Sequence, residues 1–239
     1  MDLYPQEEWF QFLVHLSRYI DRRISRSGKH SARVAEWAHS TAAELDCSEE
    51  DVQSIFWAAL LHDVGKIGIP EDILTKTSPL TDEDWSWIRL HPILGSNIVQ
   101  AAKIRAQVAA MIMAHQEKVD GTGYPQGLCG EEIPLGARIL AVVDAYDAMT
   151  SDRVYRDARS HGEAMDELLR LGGQHFDAEV VDAFAEVLKS EIPARKAFGR
   201  KGSGYPGNGN GRHSTPGTIP SGEQTARLLS PRSGKGPLK

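Results

Sequence analysis

Six residues draw attention by type and spacing: His30, His62, Asp63, His91, His115 and Asp144. Each lies on or beside an apolar stripe of helical period. His30 precedes Val34 and Trp37, His62 follows Ile55 and Ala59, His115 follows Met111 and Ile112, and Asp144 comes one turn after Leu140. A single inward histidine is ordinarily a core residue bonded to a carbonyl, and that reading suffices for any one of them. Asp144 is harder to place, because an ionised carboxylate in an apolar stripe is costly unless it is paired or metal-bound. Four imidazoles and two carboxylates directed inward from separate helices are the donors of Mn, Fe or Zn sites. Asp63 directly follows His62, so the histidine can serve one ion while the aspartate spans two, which in two-metal hydrolases lie ~3.5–4 Å apart.

The elements that must position these donors read as helices. Leu3 to Ile24 has Phe12, Leu13, Leu16 and Ile20 at helical spacing, residues 30–45 continue the period, and residues 50–62 carry Val52, Ile55, Phe56, Ala59 and Leu60 on one side. Thr81 with Asp84 three residues later predicts a capping box, opening a helix that His91 closes at His91-Pro92. Pro92 then starts the next helix. Segments 105–116, 136–150, 161–171 and 177–190 complete an all-α domain; alternating strand patterns are weak throughout. Two connections, 64–80 and 117–135, are long for a compact domain and carry interspersed Ile, Leu, Tyr and Pro, which predicts ordered loops serving a site.

Bulk properties narrow the function classes. The 239 residues carry a net charge of −6, unevenly spread: residues 195–239 hold four Lys and five Arg against one Glu. The remainder is strongly acidic, which argues against a nucleic-acid polymer as partner. Residues 193–239, rich in Gly, Ser, Pro and basic residues, predict a disordered tail behind a domain spanning 1–192. No apolar run reaches the ~18 residues of a membrane span, and the acidic N-terminus lacks signal-peptide order. Two cysteines without a CxxC pattern, Cys47 and Cys129, predict a reduced, cytoplasmic protein with no disulfide framework.

The stretches LLHDVGKIGIP, RLHPILG, AHQEKVDGTGYPQGL, GEEIPLGARILAVVDAYDAMTSDRVYR and HFDAEVV together resemble the HD-GYP family of cyclic di-GMP phosphodiesterases, over residues 10–192. The resemblance implies a helical HD-domain bundle with a buried His/Asp metal site and an ordered GYP loop. It implies His30, His62, Asp63 and Asp144 as ligands of one metal, and Asp63, His91 and His115 as ligands of a second, iron or manganese. Asp63 and Lys66 would act at the scissile phosphate, and Arg153 and Arg156 of DRVYR would contact phosphate, a task that suits arginine forks. It further implies substrate contacts from Asp120, Gly123 and Tyr124, cleavage of cyclic di-GMP to pGpG or onward to GMP, and a diguanylate cyclase domain or a sensor protein as partner. For Tyr124, stacking on guanine and a purely structural loop at the mouth of the site stand as equal readings.

Departures from the family pattern matter. Gln116 stands where the family carries a second histidine, and a neutral amide oxygen is a weaker ligand for such metals. Three roles are open to it: weak ligation, holding a water, or leaving the second site empty. The last would make the chain a degenerate domain that binds cyclic di-GMP or a cyclase without hydrolysing it. A hydrolase of another nucleotide is a further alternative, against which the GYP loop and DRVYR count. Arg26 replaces a glutamate that helps to hold a third metal in some members, so two ions are expected. Val119 and Ala178 replace the family's Trp and Pro as packing changes.

Overall fold

A computed structural model of the chain describes residues 6–24, 28–151 and 158–198. They form α1 (Gln6–Ile24), α2 (His30–Glu44), α3 (Glu49–Leu61), α4 (Glu71–Leu74), α5 (Asp82–Ile88), α6 (His91–Ala101), α7 (Ala106–Ala114), α8 (Leu135–Thr150), α9 (His161–Leu171) and α10 (Ala178–Phe198), with short 3-10 turns at Val64–Gly68 and Gly130–Glu132. The described residues contain no β-strand, only two isolated bridges, so the fold is all-α as expected. None of their helices is long and apolar enough to cross a membrane. Cys47 and Cys129 are free thiols.

Helix α2 is the hub. It packs against α3, α8 and α10, while α6 packs against α7 and the Val64–Gly68 turn. Trp37 of α2 meets Tyr146 of α8 edge-on at 5.0 Å, and Tyr146 meets Phe184 of α10 at 4.9 Å. Edge-to-face pairs of this kind contribute about 0.5–1.5 kcal/mol each beyond the area they bury. They lock α2 and α8, which carry His30 and Asp144, onto α10.

Helix α1 buries the expected face except for Phe12. Leu13 and Ile20 are buried and Leu16 packs against the core, joined by Phe10 and Val14, whereas Phe12 is 54% exposed. The helix has apolar residues on two stripes, and hydrogen bonds select between them. Ser17 Oγ donates to the Leu60 carbonyl at 2.7 Å, and Asp21 receives Ser31 N at 3.0 Å and Ser31 Oγ at 2.8 Å. Both polar residues share the buried stripe. Asp21 thereby serves the start of α2, where Lys29 at the N-cap makes no side-chain cap bond.

Three boundaries differ from the sequence expectation. The Thr81–Asp84 capping box is present, but α5 ends at Ile88 and His91 opens α6 instead of closing α5. A proline lacks only an N–H, and in a first turn that N–H has no intrahelical acceptor, so α6 can begin one residue before Pro92. The 64–80 connection is not a plain loop but holds the 3-10 turn and α4. Helix α10 continues to Phe198, past Pro193, through the good helix formers Ala194, Arg195, Lys196 and Ala197. The tail from 199 onward lies outside the described residues.

Candidate metal centre

Five of the six donors sit at helix ends, where a side chain can leave its helix and meet others, and Asp144 projects from within α8. His62 and His115 are the C-caps of α3 and α7, His30 and His91 are the first residues of α2 and α6, and Asp63 begins the 3-10 turn. Gly65 in that turn makes the convergence possible. A β-carbon there would lie 2.0 Å from the His91 carbonyl oxygen and 2.4 Å from Gly95 N, so only glycine lets the turn press onto α6.

Two donor groups result. Atoms of His30, His62 and Asp144 lie within 4.8 Å of one another, as do atoms of Asp63, His91 and His115. In the first, His30 Nε2 is 3.3 Å from both His62 Nε2 and Asp144 Oδ1. In the second, His91 Nε2 is 3.1 Å from His115 Nε2. Asp63 joins them, with Oδ2 3.4 Å from His62 Nε2 and 3.9 Å from His30 Nε2, and Oδ1 3.8 Å from His91 Nε2. That Oδ1 is buried and accepts no hydrogen bond.

Tautomers follow from the partners. Nδ1 of His62, His91 and His115 each lies 2.7 Å from a main-chain carbonyl, of Ala59, Ile88 and Ile112. A carbonyl only accepts, so each Nδ1 carries a proton and each Nε2 faces the site. Burial, and then the neighbouring His62 charge, push His115 down to about 4. Burial followed by His115 and Lys66 hold His91 well below the ordinary imidazole range. Two neutral rings therefore oppose lone pairs at 3.1 Å, a contact that a shared cation would make favourable. Burial also works against a charged His62, but Asp63 and then Asp144 outweigh it and raise the ring to about 9. Burial would raise Asp63, yet His62, Lys66 and His91 hold it well below the usual carboxylate range. The first group thus holds a proton where a cation would displace it.

Around the donors stand residues of three kinds. Lys66 Nζ donates to Asp63 Oδ2 at 2.6 Å. Tyr124 of the GYP loop has its ring 6.4 Å from that of His91, its hydroxyl donates to Gln116 Oε1 at 3.1 Å, and the Arg89 guanidinium lies 5.9 Å from its ring centroid. Burial, with Asp63 and Asp144 nearby, raises the Tyr124 pKa, so the phenol stays a neutral donor. Asp120 is exposed, and its Oδ1 receives Thr122 N and Oγ1 within the loop. Gly123 is a packing residue: a β-carbon there would sit 2.4 Å from Glu117 Cα and from Lys118 N. Val119 packs partly buried against the core. Arg26, Arg153 and Arg156 lie outside the described residues.

Sequence reasoning missed Asp147, Arg33 and Glu117. Asp147 receives His30 Nδ1 at 2.7 Å and Arg33 Nε at 2.6 Å. Burial opposes its charge, but His30 and Arg33 keep its pKa lowered. Its signal was available, since Asp144 and Asp147 lie one turn apart on one helix. Glu117 is buried, and its Oε1 receives Gln126 N at 2.6 Å and Gly127 N at 3.1 Å, which closes the GYP loop on itself.

A profile described as HD domain matches residues 15–180, which carry all six donors. The chain belongs to the HD-GYP branch of the HD domain family. It is 39% identical over 180 residues to the cyclic di-GMP phosphodiesterase response regulator RpfG of Xanthomonas campestris, covering 74% of this chain and 48% of that protein. It is also 35% identical over 190 residues to a 3'3'-cGAMP-specific phosphodiesterase of Vibrio cholerae, covering 79% of this chain and 36% of that one. The fold matches a crystal structure of a cyclic GMP-AMP specific phosphodiesterase of V. cholerae with a TM-score of 0.61 at 19% identity, over 78% of this chain and 50% of that chain. The HD-GYP chain spans less than half the length of these two curated relatives.

Proposed function

We propose that this HD-GYP domain is a metal-dependent phosphodiesterase that opens a cyclic dinucleotide, with cyclic di-GMP as substrate and linear pGpG as product. The observation that carries the reading is the pair of donor groups joined by Asp63, with one oxygen of that carboxylate buried and unbonded. Imidazoles whose Nε2 atoms face the site, with the His62 proton released on binding, and an ionised aspartate fit iron or manganese. His30, His62 and Asp144 would hold one ion and His91 and His115 the other, with Asp63 between them. When bound, such cations polarise phosphoryl oxygens and acidify a water. The chain's own residues orient the substrate. Lys66, next to Asp63, meets a non-bridging phosphate oxygen, Arg153 and Arg156 clamp phosphate, and Tyr124 closes the mouth over His91.

The test is chromatographic separation of pGpG and GMP after incubating cyclic di-GMP with the protein and Mn(II) or Fe(II), beside Asp63→Ala. Turnover that depends on both cation and Asp63 is expected. A folded wild type that hydrolyses nothing with any cation would retire the reading.

Two observations favour narrower alternatives. Gln116 Oε1 accepts a hydrogen bond from the Tyr124 hydroxyl, which ties this side chain to the loop and favours a domain that binds cyclic di-GMP with little hydrolysis. Calorimetry showing ligand binding without product supports that alternative, and a large gain in cation content and rate in Gln116→His shows that the natural second site is weak. Likeness to a 3'3'-cGAMP-specific enzyme favours a mixed cyclic dinucleotide. Relative kcat/KM on cyclic di-GMP and 3'3'-cGAMP decides between the two substrates.

A further inference from the structure

The four imidazoles at this centre are not held alike. His62, His91 and His115 each turn Nδ1 onto a main-chain carbonyl three residues upstream. His30 opens α2, directly after Gly28 and Lys29. Its Nδ1 lies instead 2.7 Å from Oδ2 of Asp147, a carboxylate only 2% exposed on α8. Asp147 is gripped from its other side. Arg33 Nε donates to Oδ1 at 2.6 Å and Arg33 Nη2 to Oδ2 at 2.8 Å, with Nη2 also reaching Ser151 Oγ at 2.9 Å. Two helices thus face each other in register. On α2, His30 and Arg33 are one turn apart; on α8, Asp144 and Asp147 are one turn apart.

We propose that Asp147, clamped by Arg33, is the positioning residue of the His30–His62–Asp144 group, and that this group alone takes part of its cation affinity from a carboxylate that holds a donor ring by hydrogen bond and is not itself a donor. The inference rests on the two-cation reading above. A carboxylate only accepts, so His30 carries its proton on Nδ1 and points the Nε2 lone pair at Asp144 and His62. A charged partner strengthens the ring as a donor more than a carbonyl does. The Arg33 fork bonds both oxygens of Asp147 and points the carboxylate at His30 Nδ1, so it orients a ligand without becoming one. The Asp63–His91–His115 group has no equivalent: its rings are oriented by backbone, and no substitution of a side chain removes those carbonyls.

Manganese titration of the full chain by calorimetry, with folding followed by circular dichroism, tests this. Asp147→Asn is expected to weaken one of two sites by about 10- to 100-fold and leave the other unchanged. Arg33→Lys keeps the charge but loses the fork, and is expected to give a smaller loss at the same site. In His91→Ala the surviving site should be the one that Asp147→Asn weakens. A second measurement needs no variant: long-range nitrogen–proton NMR of the metal-free wild type should show His30 protonated on Nδ1. An Nε2–H tautomer, an equal loss at both sites, or no loss in folded Asp147→Asn overturns the inference and leaves the two-cation reading standing. A wild type that takes up no cation overturns both.

Discussion

Lys66 Nζ sits 2.6 Å from Asp63 Oδ2, three residues along one 3-10 turn, while Oδ1 of the same carboxylate has no hydrogen-bond partner at all. One oxygen of the central aspartate is thus neutralised by Lys66, and the other meets no hydrogen-bond donor among the described residues. Removing the ammonium strips a buried anion of its nearest cation, and Lys66→Met is expected to lower stability by about 1–3 kcal/mol. Because a bound divalent ion would neutralise the same carboxylate, saturating Mn(II) should narrow the difference in melting temperature between variant and wild type. On the proposed reaction, kcat should fall by about 100-fold or more with little change in KM, since the lysine acts on charge that grows in the transition state. Equal melting temperatures without metal would show that Lys66 does not compensate Asp63.

Gly65→Ala isolates the packing that delivers His91. The added methyl would land on the His91 carbonyl and on Gly95 N, both backbone atoms that cannot swing aside. The 3-10 turn must then lift away from α6, carrying Asp63 from His91. A loss of at least about 2–3 kcal/mol in urea denaturation is expected, the range for overpacking a tight core contact. A folded variant should also bind Mn(II) more weakly. Wild-type stability in Gly65→Ala would mean that the turn and α6 do not meet as closely as this.

Gly123→Ala makes the same kind of test in the GYP loop. Its β-carbon would strike Glu117 Cα and Lys118 N, displacing Tyr124 from its place beside His91 and Gln116. Global stability should change less than for Gly65, because the loop is peripheral to the helical core. The expected signature is a raised KM for the cyclic dinucleotide with a smaller effect on kcat. A KM equal to that of wild type would separate the loop from substrate binding.

The donor set was legible in the sequence because each donor announces itself locally: His62, His115 and Asp144 interrupt apolar stripes whose period is visible along the chain. What the sequence could not show is which of two stripes a helix buries. Phe12 belongs to the exposed stripe of α1 because Ser17 and Asp21, spaced to face α3 and α2, decide the docking. Nor could it show partners made by long closures. Arg33 and Asp147 are separated by 114 positions, and nothing short-range links an arginine on α2 to an aspartate on α8. His91 was misplaced for a different reason. The rule that proline restrains the residue before it is weaker than the comfort of proline in a helix's first turn.

The cap of α5 predicts an acid-sensitive segment. Lys76 bonds Asp84 Oδ2, which also accepts Thr81 N at 2.8 Å, and these contacts, the lysine first, lower the Asp84 pKa. A carboxylate whose folded pKa is depressed stabilises the fold above its unfolded pKa, about 3.9. That contribution fades as pH falls through the lower folded value. Amide protection factors in residues 82–88, which remove the intrinsic pH dependence of exchange, should fall on acidification below about pH 4. In Asp84→Asn the protection should be lower already at neutral pH and should change less with pH. A variant with the wild-type acid profile would assign the transition to another group.

Asp21 links the lead-in helix to the centre. Its carboxylate takes Ser31 N and Oγ at the first turn of α2, next to His30, while Lys29 at the N-cap position offers no side-chain acceptor. The helix start that aims His30 is thus capped from another element. Asp21→Ala should cost about 1–2 kcal/mol, the upper range for a lost N-cap. It should also speed amide exchange at residues 31–33 and weaken Mn(II) binding at the group containing His30. Ser17→Ala supplies the control, for the Ser17 hydroxyl holds the same helix to the Leu60 carbonyl of α3. It should lower stability by about 1 kcal/mol and leave cation affinity as it was. If both variants weaken cation binding alike, α1 acts as a general clamp; if only Asp21→Ala does, the carboxylate cap is what aims His30.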